Sequence, residues 1–150
     1  MNLEIQRKPR NFGKMKKYLC FLLLFIGLSN YCNSQPTQFY NLYFEGNSLL
    51  VKGQFAKAIE CYNKALKLFE ADYVYFNRGN AFYELKDYTK ALADYNKTLI
   101  LNKGYMEAYC QRGLLKLKTS DQTACDDLKK ALKGDLQDAR NAYDGSCKKK

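Results

Sequence analysis

The chain has 150 residues and no histidine, so it lacks the commonest general base and metal ligand of enzymes. Its 47% hydrophobic content is typical of a folded domain, and the net charge of +10 lies mainly at the ends: residues 1–34 hold six basic residues against one acidic residue, and residues 148–150 are lysines. Because the rest is nearly neutral and has no basic stripe, we expect no nucleic-acid partner. Because histidine is absent, we also expect no enzyme activity, small-molecule substrate, cofactor or metal site.

The first predicted element is a secretory signal peptide over residues 1–34, with Met15 as an alternative start. Lys16 and Lys17 precede an apolar run at residues 18–28 that is shorter than the ~20 residues a membrane-spanning helix needs. Cleavage after Ser34 is predicted, with retention as an anchor as the alternative. If the signal peptide is cleaved, the protein contacts the membrane only transiently, through that peptide.

This pattern predicts an exported protein, located in the periplasm or envelope or secreted. A lipoprotein anchored at Cys32 is disfavoured, because Tyr31 stands where the acylation motif has a small residue.

After a short linker at residues 35–38, the chain repeats with a period of about 34 residues. Gly46, Gly79 and Gly113 lie 33 and 34 residues apart. Apolar residues at helical spacing surround a short polar interruption in each copy, which predicts a helix, a turn and a second helix. Small residues at fixed positions then let the two helices cross closely. The matching positions of the copies are Ala58 and Ala91, Tyr62 and Tyr95, and Ala65 and Ala131.

The copy YFNRGNAFYELKDYTKALADYNKTL resembles the tetratricopeptide repeat, and we expect a small exported protein of bacterial type. The resemblance implies an all-α solenoid of three helix-turn-helix repeats, at about 39–71, 72–105 and 106–134, within a domain at 39–147. A capping helix at 135–145, begun by Asp135, covers the third repeat, and residues 148–150 form a basic tail. Arg78 and Arg112 depart from the family pattern, which has leucine before the glycine.

In this family the first helix of each repeat lines a concave groove that binds partner peptides. The resemblance places there Tyr43, Asn47, Tyr73, Phe76, Asn77, Asn80, Tyr83, Glu107, Cys110, Gln111 and Leu114. Some relatives clamp a terminal carboxylate with two asparagines and three cations. Asn47 and Asn77 match the asparagines, but Tyr43, Glu107 and Gln111 replace the cations, so we expect no such clamp. The predicted groove recognises main chain and shape more than charge.

After removal of the signal peptide, four cysteines remain: Cys61, Cys110, Cys125 and Cys147. Cys125 and Cys147 are the best pair for a disulfide, because the capping helix folds back on the last repeat helix. The alternative is that all four are buried thiols.

The predicted function is a non-enzymatic protein–protein interaction module, or scaffold, that binds a partner peptide or protein segment in the concave groove. The alternative is a structural accessory subunit of an envelope complex, which docks through its convex or end surface and leaves the groove unused.

Overall fold

A computed structural model describes residues 31–148, with side chains described from residue 36 onward. The chain divides into two units, Met1–Thr37 and Gln38–Lys150. Only residues 31–37 of the first unit are described, and they are helical. The predicted signal peptide therefore lies almost entirely outside the described residues. None of the helices within residues 31–148 has the length and apolar character required to span a bilayer.

All regular secondary structure in the described part is helical. The seven α-helices are α1 (Tyr31–Val51), α2 (Phe55–Leu68), α3 (Asp72–Glu84), α4 (Tyr88–Leu101), α5 (Met106–Lys118), α6 (Ala124–Ala131) and α7 (Gln137–Ser146). A 3₁₀ turn, Leu132–Gly134, follows α6. Within the second unit, the helices pack as three pairs, α1 with α2, α3 with α4 and α5 with α6, followed by α7. The predicted all-α solenoid is confirmed.

The repeated glycines mark the places where the two helices of a pair approach most closely. A Cβ atom on Gly46 would lie 2.6 Å from the ring of buried Tyr62, and one on Gly79 would lie 2.8 Å from the ring of Tyr95. At Gly113 the atom would meet the Leu128 side chain at 2.9 Å. These separations are below van der Waals contact, so each first helix requires glycine where a large side chain of the second helix fills the core.

The turn inside each helix pair contains one residue in the left-handed backbone conformation. These residues are Gly53 (φ 72°), Lys86 (φ 62°) and Ser120 (φ 59°), and each follows the glycine of its repeat by seven positions. Glycine adopts this conformation without strain, whereas lysine and serine have a Cβ that disfavours it. The turn geometry is therefore repeated even where the residue type does not favour it.

Two arginines join successive repeats from the position before the glycine. Arg78 on α3 forms two hydrogen bonds with Asp94 on α4, both 2.7 Å, and its Nη1 donates to Asn63 on α2 at 2.6 Å. Arg112 on α5 repeats the arrangement one repeat later, with Asp127 on α6 and Asn96 on α4. Each guanidinium thus pairs with its own repeat and with the preceding one.

Asp127 is buried and has a second cationic partner, Lys116, whose Nζ lies 2.8 Å from its Oδ2. Burial raises the pKa of the Asp127 carboxyl, but hydrogen bonds from Arg112 and Lys116 outweigh that effect and hold the pKa below its usual value. The carboxylate is therefore charged at neutral pH.

Two predicted boundaries differ from the structure. Residues 35–38, expected as a linker, lie within α1, and Pro36 falls in its second turn. Asp135 does not cap α7: it adopts the left-handed conformation (φ 53°) after the 3₁₀ turn, and its Oδ1 accepts a hydrogen bond from Arg140 at 2.6 Å. Leu136, which has no hydrogen-bonding side chain, holds the capping position instead. The carboxylate of Asp135 is thus used by an ion pair rather than by the end of the helix.

Candidate peptide-binding groove

The candidate groove lies along α1, α3 and α5, the first helices of the three pairs, and a cluster of hydrogen bonds surrounds Asn47. The hydroxyl of Tyr62 on α2 donates to Asn47 Oδ1 at 2.8 Å, and Asn77 Nδ2 on α3 donates to the same oxygen at 2.9 Å. Asn77 Nδ2 also lies 3.4 Å from the hydroxyl of Tyr43, whose ring packs edge-on against Tyr73 at 4.9 Å. Four predicted groove residues, Tyr43, Asn47, Tyr73 and Asn77, therefore meet in one cluster.

A matching bond occurs one repeat later. The hydroxyl of buried Tyr95 donates to Asn80 Oδ1 at 2.8 Å, as Tyr62 does to Asn47. In both pairs the tyrosine follows the asparagine by 15 residues, and the asparagine follows the repeat glycine directly. The second helix of each repeat thus fixes an amide that its first helix presents to the groove.

Asn47 Oδ1 already accepts two hydrogen bonds and Asn80 Oδ1 accepts one, so the amide nitrogens are the more available groups of these two side chains. No hydrogen bond from Asn47 Nδ2 or Asn80 Nδ2 occurs among residues 31–148. An amide nitrogen carries two N–H donors, so these groups are suited to carbonyl oxygens of a bound chain. Asn47 therefore presents only donors to a ligand, whereas Asn80 Oδ1 can accept one further hydrogen bond.

The tyrosines that hold these asparagines remain protonated over a wide pH range. Burial raises the pKa of the Tyr62 and Tyr95 hydroxyls well above the ordinary value, since the phenolate would lose its hydration. Both hydroxyls are therefore neutral donors at physiological pH.

Two cavities lie along this surface. The first, of about 420 Å³, is lined by Leu50, Phe55, Asn80, Tyr83, Glu84, Tyr95 and Gln111. The second, of about 230 Å³, lies between α5 and α7 and is lined by Glu107, Cys110, Gln111, Leu136, Gln137 and Asp138. Gln111 belongs to both linings, so the cavities adjoin. Asn80, Tyr83 and Gln111, which were predicted for the groove, thus border open space.

Phe76 is placed differently from the other predicted groove residues. Its ring packs against Tyr105 at 4.9 Å and Tyr95 at 5.9 Å, and it lines neither cavity. Its contacts are those of a residue that supports the core between α3 and α4.

The third repeat lacks the amide that the first two repeats present. At the positions of the asparagine and tyrosine it has Leu114, half-buried, and Leu128, fully buried. Both members of the pair are apolar, so neither leaves an unpaired polar group.

The predicted cysteine pair is bonded in the structure. The sulfur atoms of Cys125 on α6 and Cys147 after α7 are 2.05 Å apart, and Cys61 and Cys110 are free and buried. Burial raises the pKa of the Cys110 thiol, and the negative charges of Asp138 and Glu107 raise it further. Within residues 31–148, no group of three or more side chains is arranged to hold a metal ion.

Sequence reasoning missed the role of Arg78 and Arg112, which it recorded only as departures from a leucine. The signal was present: arginine precedes the glycine in repeats two and three, and aspartate precedes Tyr95 and Leu128. It also missed the Tyr–Asn bonds, although asparagine follows the glycine wherever tyrosine occurs 15 residues later.

Comparison with known proteins shows what the repeats are similar to. The family model of the tetratricopeptide repeat matches residues 43–105. RNA polymerase II-associated protein 3 of Xenopus tropicalis is 37% identical over 94 residues, which are 61% of this chain and 14% of that protein. A tetratricopeptide repeat and J domain-containing co-chaperone of Cryptococcus neoformans is 29% identical over 112 residues, covering 71% of this chain and 22% of the co-chaperone. The chain thus spans less than a quarter of the length of these relatives.

A solved structure shares the fold. The first tetratricopeptide domain of Spaghetti, bound to the HSP90 peptide SRMEEVD, superposes with a TM-score of 0.69 and 26% identity, covering 73% of this chain and 90% of that one.

These relatives contradict the predicted export. RNA polymerase II-associated protein 3 and the tetratricopeptide co-chaperones are cytosolic or nuclear proteins, so the assignment to periplasm, envelope or secretion is wrong. They are also eukaryotic, and the expectation of a bacterial-type protein is not supported.

Proposed function

We propose that this chain, whose residues 43–105 belong to the tetratricopeptide repeat family, is a protein-interaction module that binds a peptide segment of a partner in the groove of α1, α3 and α5. The observation that carries the proposal is the row of amides held by the core. Tyr62 and Tyr95 fix Asn47 and Asn80, so the amides need not be ordered when a peptide binds. Preorganised groups lose less entropy on binding and so contribute more affinity.

The bound segment lies across Asn47, Asn77, Asn80 and Gln111, whose amides meet its main-chain carbonyl and N–H groups. The rings of Tyr43, Tyr73 and Tyr83 supply apolar contact area beside them. The solved domain of Spaghetti supports the proposal, since it carries a peptide and shares this fold. No catalytic step is part of the proposed function.

The test begins with a random peptide library panned against the full chain, followed by affinity measurement for the selected peptides. Asn77→Ala with Gln111→Ala removes two groove amides that do not bond to the buried tyrosines. The double variant should bind about 5- to 150-fold more weakly. This change corresponds to a loss of about 1–3 kcal/mol of binding free energy, because polar groups of the peptide are left unpaired.

Asn41→Ala with Gln122→Ala is the matched control, because it also removes one asparagine and one glutamine, both side chains are exposed and neither lines a cavity. Its affinity should equal that of the wild type. If the groove variant also binds every selected peptide with wild-type affinity, the peptides dock elsewhere and the proposal is wrong.

A further inference from the structure

We propose that the groove recognises a basic segment, with a lysine or arginine side chain of the partner seated in the cavity between α5 and α7. This inference rests on the proposed function and specifies the chemical class of its ligand. The occupant is thus opposite in charge to the acidic peptide SRMEEVD in the solved structure of Spaghetti.

The first argument is the charge of the lining. Glu84 borders the first cavity, and Glu107 and Asp138 border the second. Within residues 31–148, no lysine or arginine lines either of these two cavities. The three carboxylates form no ion pair within residues 31–148. A bound cation could therefore pair with carboxylates that have no cationic partner in the described part of the protein.

The second argument is the shape and chemistry of the second cavity. Its volume of about 230 Å³ is bounded by the apolar side chain of Leu136 and by Cys110, which is 3% exposed. The Cys110 thiol has no hydrogen bond among the described residues, and the carboxylates of Glu107 and Asp138 stand beside it in the lining. Burial raises the pKa of this thiol, and the two negative charges raise it further. The methylene groups of a lysine or arginine can cover this apolar part while the charged end reaches Glu107 and Asp138.

The third argument concerns Lys118, a cation that contacts Tyr83 of the first cavity lining. Lys118 Nζ lies 5.3 Å from the centroid of the Tyr83 ring and 5.0 Å from that of Tyr88. Lys118 thus lies against the faces of both rings at the end of α5, and it does not line the first cavity. The tyrosines at this edge therefore already attract a cation, as aromatic faces do.

An acidic ligand would meet the opposite situation. Glu107 stands at a position where relatives with a carboxylate clamp have a cation, and Gln111 and Tyr43 at the others are neutral. A carboxylate of the ligand near Glu107 would be repelled, since like charges at short range are unfavourable, and salt would weaken this repulsion because Glu107 is exposed. The groove thus favours basic over acidic segments.

The experiment uses the full chain and two fluorescein-labelled dodecapeptides with blocked termini. They share the same apolar and small residues, and one carries four lysines or arginines where the other carries four glutamates. Fluorescence polarisation should show binding of the basic peptide, with affinity falling as ionic strength rises from 0.05 to 0.5 M, because salt screens partly exposed charges. The acidic peptide should bind at least about tenfold more weakly.

Glu107→Gln with Asp138→Asn should weaken binding of the basic peptide about three- to tenfold at low salt. The control Glu60→Gln with Asp126→Asn makes the same change in net charge at exposed positions on α2 and α6 that line neither cavity. It should change affinity less than twofold.

Equal or tighter binding of the acidic peptide overturns the inference, as does failure of the basic peptide to bind or an unchanged affinity in the Glu107 and Asp138 variant. These outcomes are separate from failure of the proposed function. Library peptides that are neutral or acidic, yet lose affinity in the Asn77 and Gln111 variant, would contradict only the basic-segment inference.

Discussion

Single side chains connect the core of this protein to its surface. Tyr62 and Tyr95 fill the space opposite the repeat glycines with their rings, and their hydroxyls end at the groove asparagines. One residue therefore both packs the helix pair and orients a binding group. In the third repeat, Leu128 keeps only the packing role.

The two buried tyrosines make stability sensitive to alkaline pH. Their pKa values are raised on folding, so the folded protein keeps two protons that the unfolded chain releases near pH 10. This contribution is complete below pH ~10, and it declines as pH rises toward the folded-state pKa values. Between pH 9 and 11 the free energy of unfolding should fall by about 1 kcal/mol for each tyrosine.

Denaturant unfolding at the two pH values measures this effect. The variant with Tyr62→Phe and Tyr95→Phe should lose less stability across the interval than the wild type. Tyr40→Phe is the control, because this ring is 50% exposed, and it should reproduce the wild-type slope. Identical slopes for all three proteins would contradict the assignment.

At the scale of elements, the turns show where local strain is stored. Lys86 and Ser120 adopt the left-handed conformation that Gly53 adopts in the first repeat. Lys86→Gly should increase the free energy of unfolding by about 0.5–1 kcal/mol, because relief of the Cβ strain exceeds the entropic cost of glycine. Lys86→Ala retains the Cβ and should bring no gain. Thermal unfolding of both variants provides the measurement, and equal stabilisation by alanine would refute strain as the cause.

The helix pairs could be predicted from the sequence because their signal is strong and periodic. Gly46, Gly79 and Gly113 recur at nearly constant spacing, and each lies against a large side chain. The ends of helices were less predictable. From the sequence, Asp135 could either cap a helix or form an ion pair. Only the position of Arg140 in the fold decides between these roles.

The candidate site was predictable only in part. The resemblance placed Asn47, Asn77 and Asn80 on the first helices, but whether their amides are free depends on contacts from other helices. The bonds from Tyr62 and Tyr95 join residues 15 positions apart and require the turn between them to close. The Arg78–Asp94 pair was missed for the same reason, since its partners meet only after α3 packs on α4.

At the scale of the whole molecule, the C-terminal end of the solenoid is held by the Cys125–Cys147 disulfide. It closes a loop with a sequence separation of 22 and attaches the end of α7 to α6. By the loop-entropy model, removing it should lower stability by about 3 kcal/mol. Cys147→Ser should show this loss in denaturant unfolding and should increase hydrogen exchange in α7. The Cys61→Ser variant is a control for loss of a free thiol.

Non-reducing peptide mapping tests the bond directly. Free thiols at both Cys125 and Cys147 in protein purified without reductant would contradict it, and Cys147→Ser should then leave stability nearly unchanged.

Cellular location was the poorest prediction at this scale. The assignment depended on the order of basic, apolar and small residues before residue 35, and such a short compositional pattern constrains few positions. The repeat involves many residues at fixed spacing, and its relatives indicate a different compartment.

The arginine bridges give the repeats a fixed order. Arg78 and Arg112 each reach back to an asparagine of the preceding repeat, Asn63 and Asn96. The first repeat has Glu45 at the arginine position, and the third has Lys129 at the asparagine position. A copy of the second repeat moved to the first place would leave one guanidinium nitrogen without its acceptor. The units therefore cannot be exchanged freely, because any other order of the three repeats would lose charge-assisted hydrogen bonds at one junction or both.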